Sequence, residues 1–505
     1  MKGMTRCRRI ILVGLAMLLT SGALLAAEPK YGGTLTIAIP VDPGTFDPHY
    51  YRSMVDLMVD RLMLETLVTF DADAKIIPEL ATHWERVDDL TWRFWIREGV
   101  KFHDGTPLDA EAVKISLERS FKSPYGYLDK DLFGSVEVED THVLTIHTLA
   151  PYPTLLNDLA ICITAIHSPK ALAEYGDQIG MHPTGTGPFK LESYKPNEET
   201  VLVRNDDYWG GAPYLDKVVF RPIPDPATRL LAFEAGTVDV IIDPAPEQVV
   251  KYERDSRYTV VKGPNTRIVW LGFNCGAEPF NNRLLRQAVA YAINYEEIIN
   301  HICEGQVRPA AGPVPPELMT KPIERWFTYD PARAKKLLAD AGYPNGLSVE
   351  LWTGEGRYLR DREIAETIAR QLSEIGIDVT AKVWEWGAYW SAIMAHQQQM
   401  YIIGAGYANA SALGPLKGLF KTGVPYNHSN YSNATFDALI DLALATLDPV
   451  EREEVILAAQ RILLADAALV PLYNKLGIYV MPSTVHGFQM IPVETIRLHR
   501  TWIEH

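Results

Sequence analysis

The sequence has few cysteines for its length and no second long apolar run. Four of its 505 residues are cysteine. Cys7 lies near the N-terminus, and Cys162, Cys275 and Cys303 are widely separated. This spacing excludes a disulfide framework; one disulfide is possible, but buried free thiols are the expectation. Beyond residue 27, no uncharged apolar stretch reaches the roughly 20 residues of a membrane-spanning helix, so the rest of the chain has no predicted membrane anchor.

Common enzyme motifs are also missing. The sequence contains no G-x-S-x-G elbow, no H-E-x-x-H and no Walker-type glycine loop. His103 and Asp104 are adjacent in a tight turn, where neighbouring side chains generally point apart. The histidines are dispersed, and His142 and His147 would face opposite sides of a predicted strand. The sequence therefore predicts no catalytic residue, no cofactor and no intrinsic metal site.

The sequence has fewer basic than acidic residues. The chain has 48 Lys and Arg against 63 Asp and Glu, which gives a formal net charge of −15. Such a balance repels polyanions, so nucleic acid is not an expected partner.

Residues 1–27 have the pattern of a secretory signal peptide. Lys2, Arg6, Arg8 and Arg9 precede an apolar run from Ile10 to Leu19, and Ala26-Ala27 offers a cleavage site. Cys7 comes before the apolar run, which disfavours a lipoprotein. Cleavage would leave a mature chain of net charge −19, because four positive charges and no negative ones are removed. The pattern predicts a periplasmic protein of a Gram-negative cell, with a retained N-terminal anchor as the alternative.

Strand-like and helix-like segments alternate through most of the chain. Asp225-Pro226 and Asp330-Pro331 each predict the capped start of a helix, and Gly236 and Gly342 predict the helix ends. A length of 505 residues suits two or three domains. The alternation favours α/β domains, and the glycine- and proline-rich segment Pro183–Phe189 predicts a crossing point between domains.

The segment from Pro78 to Ser120 is the most ordered pattern in the sequence. We predict a short helix around Leu80 and Trp84, then a half-buried strand in which Trp92, Phe94 and Ile96 alternate with polar residues. A turn follows, and Asp109 is placed to cap the next helix.

Five segments, in this order, resemble the family-5 extracytoplasmic solute-binding proteins, which are receptors of ABC importers. The segments are GGTLTIAIP, the Pro78–Ser120 segment, PTGTGPFKLESYKPNE with YWGGAPYLDKVVF, FNCGAEPFNNRLLRQAVAYAIN, and DPARAKKLLADAGYPNG. Together they extend over nearly the whole mature chain.

The resemblance implies an α/β, two-lobed periplasmic binding protein-like fold with mixed sheets. Two interlobe crossings join the lobes, and an extra subdomain is inserted in the first lobe. The expected division is a signal peptide at 1–27; a discontinuous first lobe at 28–63, 183–265 and 481–505; an inserted subdomain at 64–182; and a second lobe at 266–480. The expected protein is a monomer that captures a small solute and delivers it to an ABC permease with ATPase subunits.

Tryptophans and an arginine are candidate ligand residues. Trp384 and Trp386 would share one face of a strand and form an apolar wall, or else pack in the core. By resemblance, Arg357 matches an arginine that holds a ligand carboxylate, although a solvated surface arginine is the plainer interpretation. Asp47, on the loop after the first strand, is either a ligand contact or a turn-forming residue.

The segment from Gly406 to Ala410 resembles the family's Gly-Trp-x-x-Asp pattern, whose aspartate pairs with a peptide ammonium group. Tyr407 stands at the aromatic position, but the aspartate is missing. Asn409 can accept a hydrogen bond without supplying charge. Either another acid, such as Glu385 or Asp47, takes the role of the missing aspartate, or the ligand is not an ordinary peptide. Peptide leads on family prevalence; a saccharide, an opine or a nickel chelate is the alternative, and a periplasmic hydrolase is the different-class alternative.

Overall fold

The computed structural model describes residues 28–51, 53–123, 128 and 130–504. The predicted signal peptide lies outside the described residues. One mixed sheet of eleven strands runs through both halves of the molecule. Ten of these strands lie side by side in the spatial order Ile377–Trp384, Leu347–Gly354, Met400–Gly406, Tyr258–Phe273, Leu469–Pro482, Val240–Ile242, Thr34–Ile39, Lys217–Pro222, Glu199–Arg204 and Phe189–Lys195. The eleventh strand, Val307–Pro309, lies off this path and pairs with Leu469–Pro482.

Two long strands connect the lobes. Tyr258–Phe273 pairs antiparallel with Leu469–Pro482 along most of its length, with a register shift between Pro264 and Ile268. On the first-lobe side, Leu469–Pro482 also pairs with Val240–Ile242, and on the second-lobe side, Tyr258–Phe273 also pairs with Met400–Gly406. These strands are the two interlobe crossings of the predicted two-lobed α/β fold.

Helices pack against the strands of the main sheet. In chain order the α-helices are Met54–Asp60, Ala110–Lys122, Leu155–Leu159, Pro169–Tyr175, Pro226–Glu234, Pro246–Glu253, Arg283–Ala292, Pro331–Asp340, Asp361–Ser373, Trp386–Met394, Leu413–Phe420, Ala434–Ala445 and Pro449–Ala465. Separate buried apolar clusters fill the two halves, one around Leu271, Val289 and Leu351 and the other around Ile37, Phe94 and Leu117. None of the described helices is long and apolar enough to cross a membrane.

A second sheet belongs to the region predicted as the inserted subdomain. Its strands, in spatial order, are Ala81–Arg86, Thr91–Ile96, Val143–Thr148 and Phe133–Asp140. The short helix predicted around Leu80 and Trp84 is wrong. Ala81–Arg86 is a strand because it pairs antiparallel with Thr91–Ile96, so Trp84 lies opposite Phe94. The remaining strands of the described residues form three two-stranded sheets: Val68–Phe70 with Ile76–Pro78, Val485–His486 with Trp502–Ile503, and Gln489–Ile491 with Thr495–Arg497.

The predicted helix caps are confirmed. The carboxylate of Asp109 accepts the amide of Ala112 at 2.8 Å. Asp225 and Asp330 accept the amides three residues ahead of them, at 2.7 and 2.9 Å. Gly236 and Gly342 follow the helix ends with positive φ angles of 68° and 97°, which a residue with a Cβ rarely adopts.

The segment Pro183–Phe189 packs tightly against the chain near Met63. The amide of Gly187 donates to the carbonyl of Met63 at 2.9 Å, and a Cβ atom on Gly185 or Gly187 would lie 2.4 to 2.7 Å from atoms of residues 62–63. The segment thus needs its glycines for close approach. It joins the inserted region to the strand Phe189–Lys195, whereas the two long strands join the lobes. Cys162, Cys275 and Cys303 are free, as expected.

Candidate ligand-binding cleft

The strand directions create a cleft between the lobes. Met400–Gly406 runs antiparallel to the crossing strand Tyr258–Phe273, so its carboxyl end points back towards the first lobe. Leu347–Gly354 and Ile377–Trp384 are parallel to it. The residues that follow all three strands therefore share one edge of the second-lobe sheet. In open α/β sheets, ligands bind at the carboxyl edge of the strands.

The first lobe presents its own carboxyl edge to the same space. Val240–Ile242 is antiparallel to Leu469–Pro482, which is antiparallel to Tyr258–Phe273. Val240–Ile242 therefore runs towards the second lobe, and Thr34–Ile39 is parallel to it. Two carboxyl edges thus oppose each other across the crossing strands, an arrangement suited to holding a ligand between them.

The predicted pair Trp384 and Trp386 does not lie on one strand face. Trp384 ends its strand, Glu385 caps the next helix by accepting the amides of Gly387 and Ala388, and Trp386 begins that helix. Trp384 packs on Trp352 with ring centroids 4.7 Å apart. The shared-strand geometry is wrong because the carboxylate cap of Glu385 turns the chain out of the sheet between the two rings.

Arg357 and Trp386 are brought together at this edge. Arg357 is exposed, and its guanidinium carbon lies 5.3 Å from the centre of the Trp386 ring, within cation–π range. Trp386 is half-buried and packs against Tyr358 and Trp390 at 6.0 and 5.9 Å. A flat aromatic surface with a guanidinium beside it can hold an apolar group and a carboxylate of one ligand.

Three further rings extend this surface, and sequence reasoning missed two of them, Tyr426 and His428. Trp390 lies 5.0 Å from His428 and 6.5 Å from Tyr426, whose side chain is 54% exposed. Tyr426 and His428 come from a loop between helices, so periodicity gave no signal for them. The result is a continuous aromatic strip that begins at Arg357.

Tyr407 and Asn409 follow the strand Met400–Gly406 but are not open to solvent. The hydroxyl of Tyr407 donates to the carbonyl of Pro313 inside the second lobe. Asn409 is 9% exposed, and its amide donates to Asp158 Oδ1 at 3.0 Å. Tyr407 is therefore a packed residue inside the second lobe, and Asn409 contacts the opposite lobe.

A second contact between the lobes lies near the hinge. Arg360 Nη2 lies 2.6 Å from Glu247 Oε2, with both side chains partly exposed. Inside the hinge, Arg267 Nη2 and Lys475 Nζ lie 2.9 and 3.6 Å from the carboxylate of Glu494. Burial opposes ionisation of Glu494, but the charges of Arg267 and Lys475 outweigh it and hold its pKa below the ordinary value. Ion pairs therefore join the two lobes both beside the hinge and inside it.

Asp47 lies in a buried polar cluster. Its carboxylate is 4% exposed and accepts two hydrogen bonds from Arg119, at 2.6 and 2.9 Å. His167 Nε2 lies 3.6 Å away, and Arg119 Nη1 also lies 2.8 Å from His49 Nδ1. Burial opposes ionisation, but the contacts with His167 and Arg119 outweigh it and lower the pKa of Asp47. A ligand ammonium would have to displace Arg119 to reach this carboxylate.

The same cluster holds three possible metal ligands. Asp47, His49 and His167 offer ligand atoms within 4.8 Å of one another. However, Arg119 Nη1 already lies within hydrogen-bond distance of both Asp47 Oδ1 and His49 Nδ1. A metal cation would have to replace this guanidinium, so the geometry favours an ion pair over a metal site.

His49 gives a testable pH effect. Burial lowers the pKa of His49 to about 3, against about 6.5 in an unfolded chain. The unfolded state then binds the extra proton below pH 6.5, so the stabilisation from His49 is lost as pH falls from 6.5 towards 3. We expect His49→Gln to reduce the slope of unfolding free energy against pH by about 1.4 kcal/mol per unit between pH 6 and 4. Urea unfolding at several pH values measures this, and an unchanged slope in the variant would contradict it.

Comparisons with known proteins agree with this architecture. The family described as "Bacterial extracellular solute-binding proteins, family 5 Middle" matches residues 75–427. The glutathione-binding protein GsiB of Escherichia coli O1:K1 / APEC is 29% identical over 501 residues, which cover 94% of this chain and 98% of that protein.

Solved structures show the same fold. The periplasmic binding protein DppA of Helicobacter pylori, in complex with peptide STSA, has a TM-score of 0.78 and 30% identity over 94% of this chain and 99% of that one. The binding protein MoaA of A. tumefaciens R10, in complex with mannopinic acid, has a TM-score of 0.77 and 26% identity over 94% of this chain and all of that one (100%).

Proposed function

This chain belongs to the bacterial extracellular solute-binding proteins of family 5, and we propose that it is the receptor of an ABC importer that captures a peptide between its lobes. The observation that carries the proposal is the pair of opposed carboxyl edges joined by two crossing strands. Relatives named for glutathione and peptide binding match along 94% of the chain. A ligand that contacts both edges favours closure through its contacts with the closed state.

The proposal includes location and partners. Relatives of the chain are periplasmic binding proteins, and the basic and apolar pattern of residues 1–27 supports export through a cleaved signal peptide. The mature protein would act as a monomer and deliver its ligand to a permease with ATPase subunits. We propose a first lobe formed by residues 28–63, 183–265 and 481–505, an inserted subdomain at 64–182, and a second lobe at 266–480, so that the lobes meet near residues 265 and 480.

Within the cleft, Trp386 and Arg357 are the residues that we propose for direct ligand contact. The ring of Trp386 would pack on an apolar part of the ligand, and the guanidinium of Arg357 would pair with a carboxylate. Trp384 would support this wall through its contact with Trp352.

The other predicted residues, Tyr407, Asn409 and Asp47, would support the shape of the site without contacting the ligand directly. Tyr407 and Asn409 fix the loop after Met400–Gly406, and Asp47 is held by Arg119. Glu385, the other acid considered for an ammonium group, caps a helix. With Ala410 at the aspartate position of the resembled pattern, we propose a ligand whose recognition rests on a carboxylate and an apolar group rather than on a free N-terminal ammonium.

Calorimetry with a panel of compounds tests this function. The probes are reduced glutathione, the peptide Ser-Thr-Ser-Ala, an Ala-Ala dipeptide, mannopinic acid, maltose and a nickel–histidine complex. We expect micromolar binding of at least one peptide, which corresponds to roughly −8 kcal/mol, and no turnover of it. Binding of mannopinic acid, maltose or the nickel complex with no heat from any peptide would replace the peptide proposal with that ligand class. Turnover of a probe without lobe closure would support a hydrolase instead.

A further inference from the structure

A small cavity is lined from both lobes. Met54 and Leu57, in the first α-helix after the strand Thr34–Ile39, line it on one side, and Ala408, which follows the strand Met400–Gly406, lines it on the other. The volume of the cavity is about 20 Å³, which is room for a group about the size of a water molecule or of one carboxylate oxygen. The cavity therefore belongs to the cleft and not to the interior of one lobe.

Two arginines line this cavity, and none of the described residues that line it is acidic. Arg61 is paired, because its Nη2 atom lies 3.3 Å from Glu79 Oε2. Arg497 makes its hydrogen bonds with one nitrogen: Nη2 donates to the carbonyl of Phe70 at 2.7 Å and to Thr69 Oγ1 at 3.0 Å. Among the described residues, none accepts a hydrogen bond from Nε or Nη1 of Arg497. One guanidinium of the cavity thus has donors to offer to a ligand.

The surroundings of the cavity keep a positive charge. Glu79 offsets one of the two arginines, and the two other acids nearby, Glu65 and Asp60, are buried. Burial and the charge of Glu79 raise the pKa of Glu65 to about 8, so this carboxyl is mostly protonated at pH 7. Burial raises the pKa of Asp60 as well, and its two oxygens have no partner among the described residues, which favours the neutral form. Two guanidiniums therefore lie near one carboxylate, and one positive charge remains.

The loop at Ala408 leaves this positive charge uncompensated. In the pattern that Gly406–Ala410 resembles, an aspartate stands two residues beyond Ala408, where this chain has Ala410. An aspartate there would bring a negative charge close to the cavity. The side chain of Ala410 brings none and packs in the buried cluster of the first lobe. The charge around the cavity thus suits an anion and repels an ammonium group.

Arg357 lies at the same edge of the second-lobe sheet. It follows the strand Leu347–Gly354, which pairs in parallel with Met400–Gly406, the strand that leads to Ala408. Adjacent strands of a sheet lie about 5 Å apart, so a ligand of a few residues can extend from Arg357 to the cavity. Two separate guanidiniums are therefore within reach of one ligand.

We propose that Arg497 is a second anion-binding residue of the cleft, and that the ligand carries two separated carboxylates, one for Arg357 and one for Arg497. One oxygen of the second carboxylate enters the cavity and accepts a charge-assisted hydrogen bond from Nε or Nη1 of Arg497. The ligand class narrows to acidic peptides and peptide-like dicarboxylates. This inference rests on the proposed receptor function and specifies the ligand of the same cleft.

Calorimetry with matched pairs of compounds tests the second carboxylate. Succinyl-alanine and succinyl-trialanine carry two carboxylates, their acetyl counterparts carry one, and none of the four has an ammonium group. The variants are Arg497→Gln, Arg497→Lys, which keeps the charge, and Arg500→Gln, the control that removes an exposed arginine from the same segment. Thermal unfolding checks that each variant remains folded.

We expect the parent protein to bind at least one succinyl compound tenfold or more tightly than its acetyl counterpart, because the added carboxylate gains charge-assisted hydrogen bonds. Arg497→Gln should reduce this preference to less than threefold, Arg497→Lys should keep part of it, and Arg500→Gln should keep all of it.

Three results would overturn the inference. The first is a preference below threefold for both pairs in the parent, a comparison that needs no substitution and so does not depend on the folding of a variant. The second is a tenfold preference that survives in Arg497→Gln. The third is no binding of either succinyl compound while a peptide of the calorimetric panel binds. Failure of the receptor function looks different, since no compound of the panel would then give binding heat.

Discussion

Replacing Arg119 with methionine is expected to lower the free energy of unfolding by about 3–5 kcal/mol at pH 7. The reason is that Asp47, only 4% exposed, would keep its negative charge without the two hydrogen bonds from Arg119. The Nδ1 atom of His49 would lose its partner as well. Urea or thermal unfolding followed by circular dichroism measures the loss.

Two further variants separate a buried charge effect from a general effect of losing arginine. Arg93→Met removes a partly exposed arginine that pairs with Glu85 and Glu139 at the surface, and surface ion pairs contribute little, so we expect only a small change. The double variant Arg119→Met with Asp47→Asn removes both charges and should recover part of the loss. Equal losses in Arg119→Met and Arg93→Met would show that the buried cluster does not stabilise the fold.

The second large effect is expected at Trp386. Trp386→Ala should weaken binding of the peptide identified by calorimetry by roughly 30-fold or more, since buried tryptophans at the centre of an interface commonly contribute at least about 2 kcal/mol. The loss follows from removal of the ring that lies beside Arg357 at the carboxyl edge of the second lobe. Trp386→Phe should retain part of the affinity because it keeps an aromatic face.

The matched control is Trp326→Ala. Trp326 is a 40% exposed tryptophan outside the aromatic strip, so its loss should leave affinity within twofold. Both variants should be compared at temperatures well below their unfolding transitions. An affinity within twofold of the parent for Trp386→Ala would place the ligand away from this edge.

Local signals were enough for much of the fold. The capping carboxylates Asp109, Asp225 and Asp330 were predicted correctly because a cap depends on residues three positions apart. The strand around Phe94 was predicted by alternation, but its neighbour at Ala81–Arg86 was taken for a helix, because only pairing with Thr91–Ile96 makes that stretch a strand.

The site was harder to predict because its geometry depends on distant contacts. Trp384 and Trp386 were predicted to share one face of a strand, which is wrong because the strand ends at Trp384 and the cap at Glu385 separates the two rings. Asp158 carried no motif, and its contact with Asn409 joins residues 251 positions apart. No single-sequence pattern reports such a contact, and the same holds for the pairing of Asp47 with Arg119.

Small-angle X-ray scattering with and without the bound peptide tests the central claim most directly. The account predicts that saturating peptide reduces the radius of gyration, because a ligand that contacts both opposed carboxyl edges draws the two lobes together. Binding heat from the peptide with no change in the scattering curve would contradict capture by lobe closure.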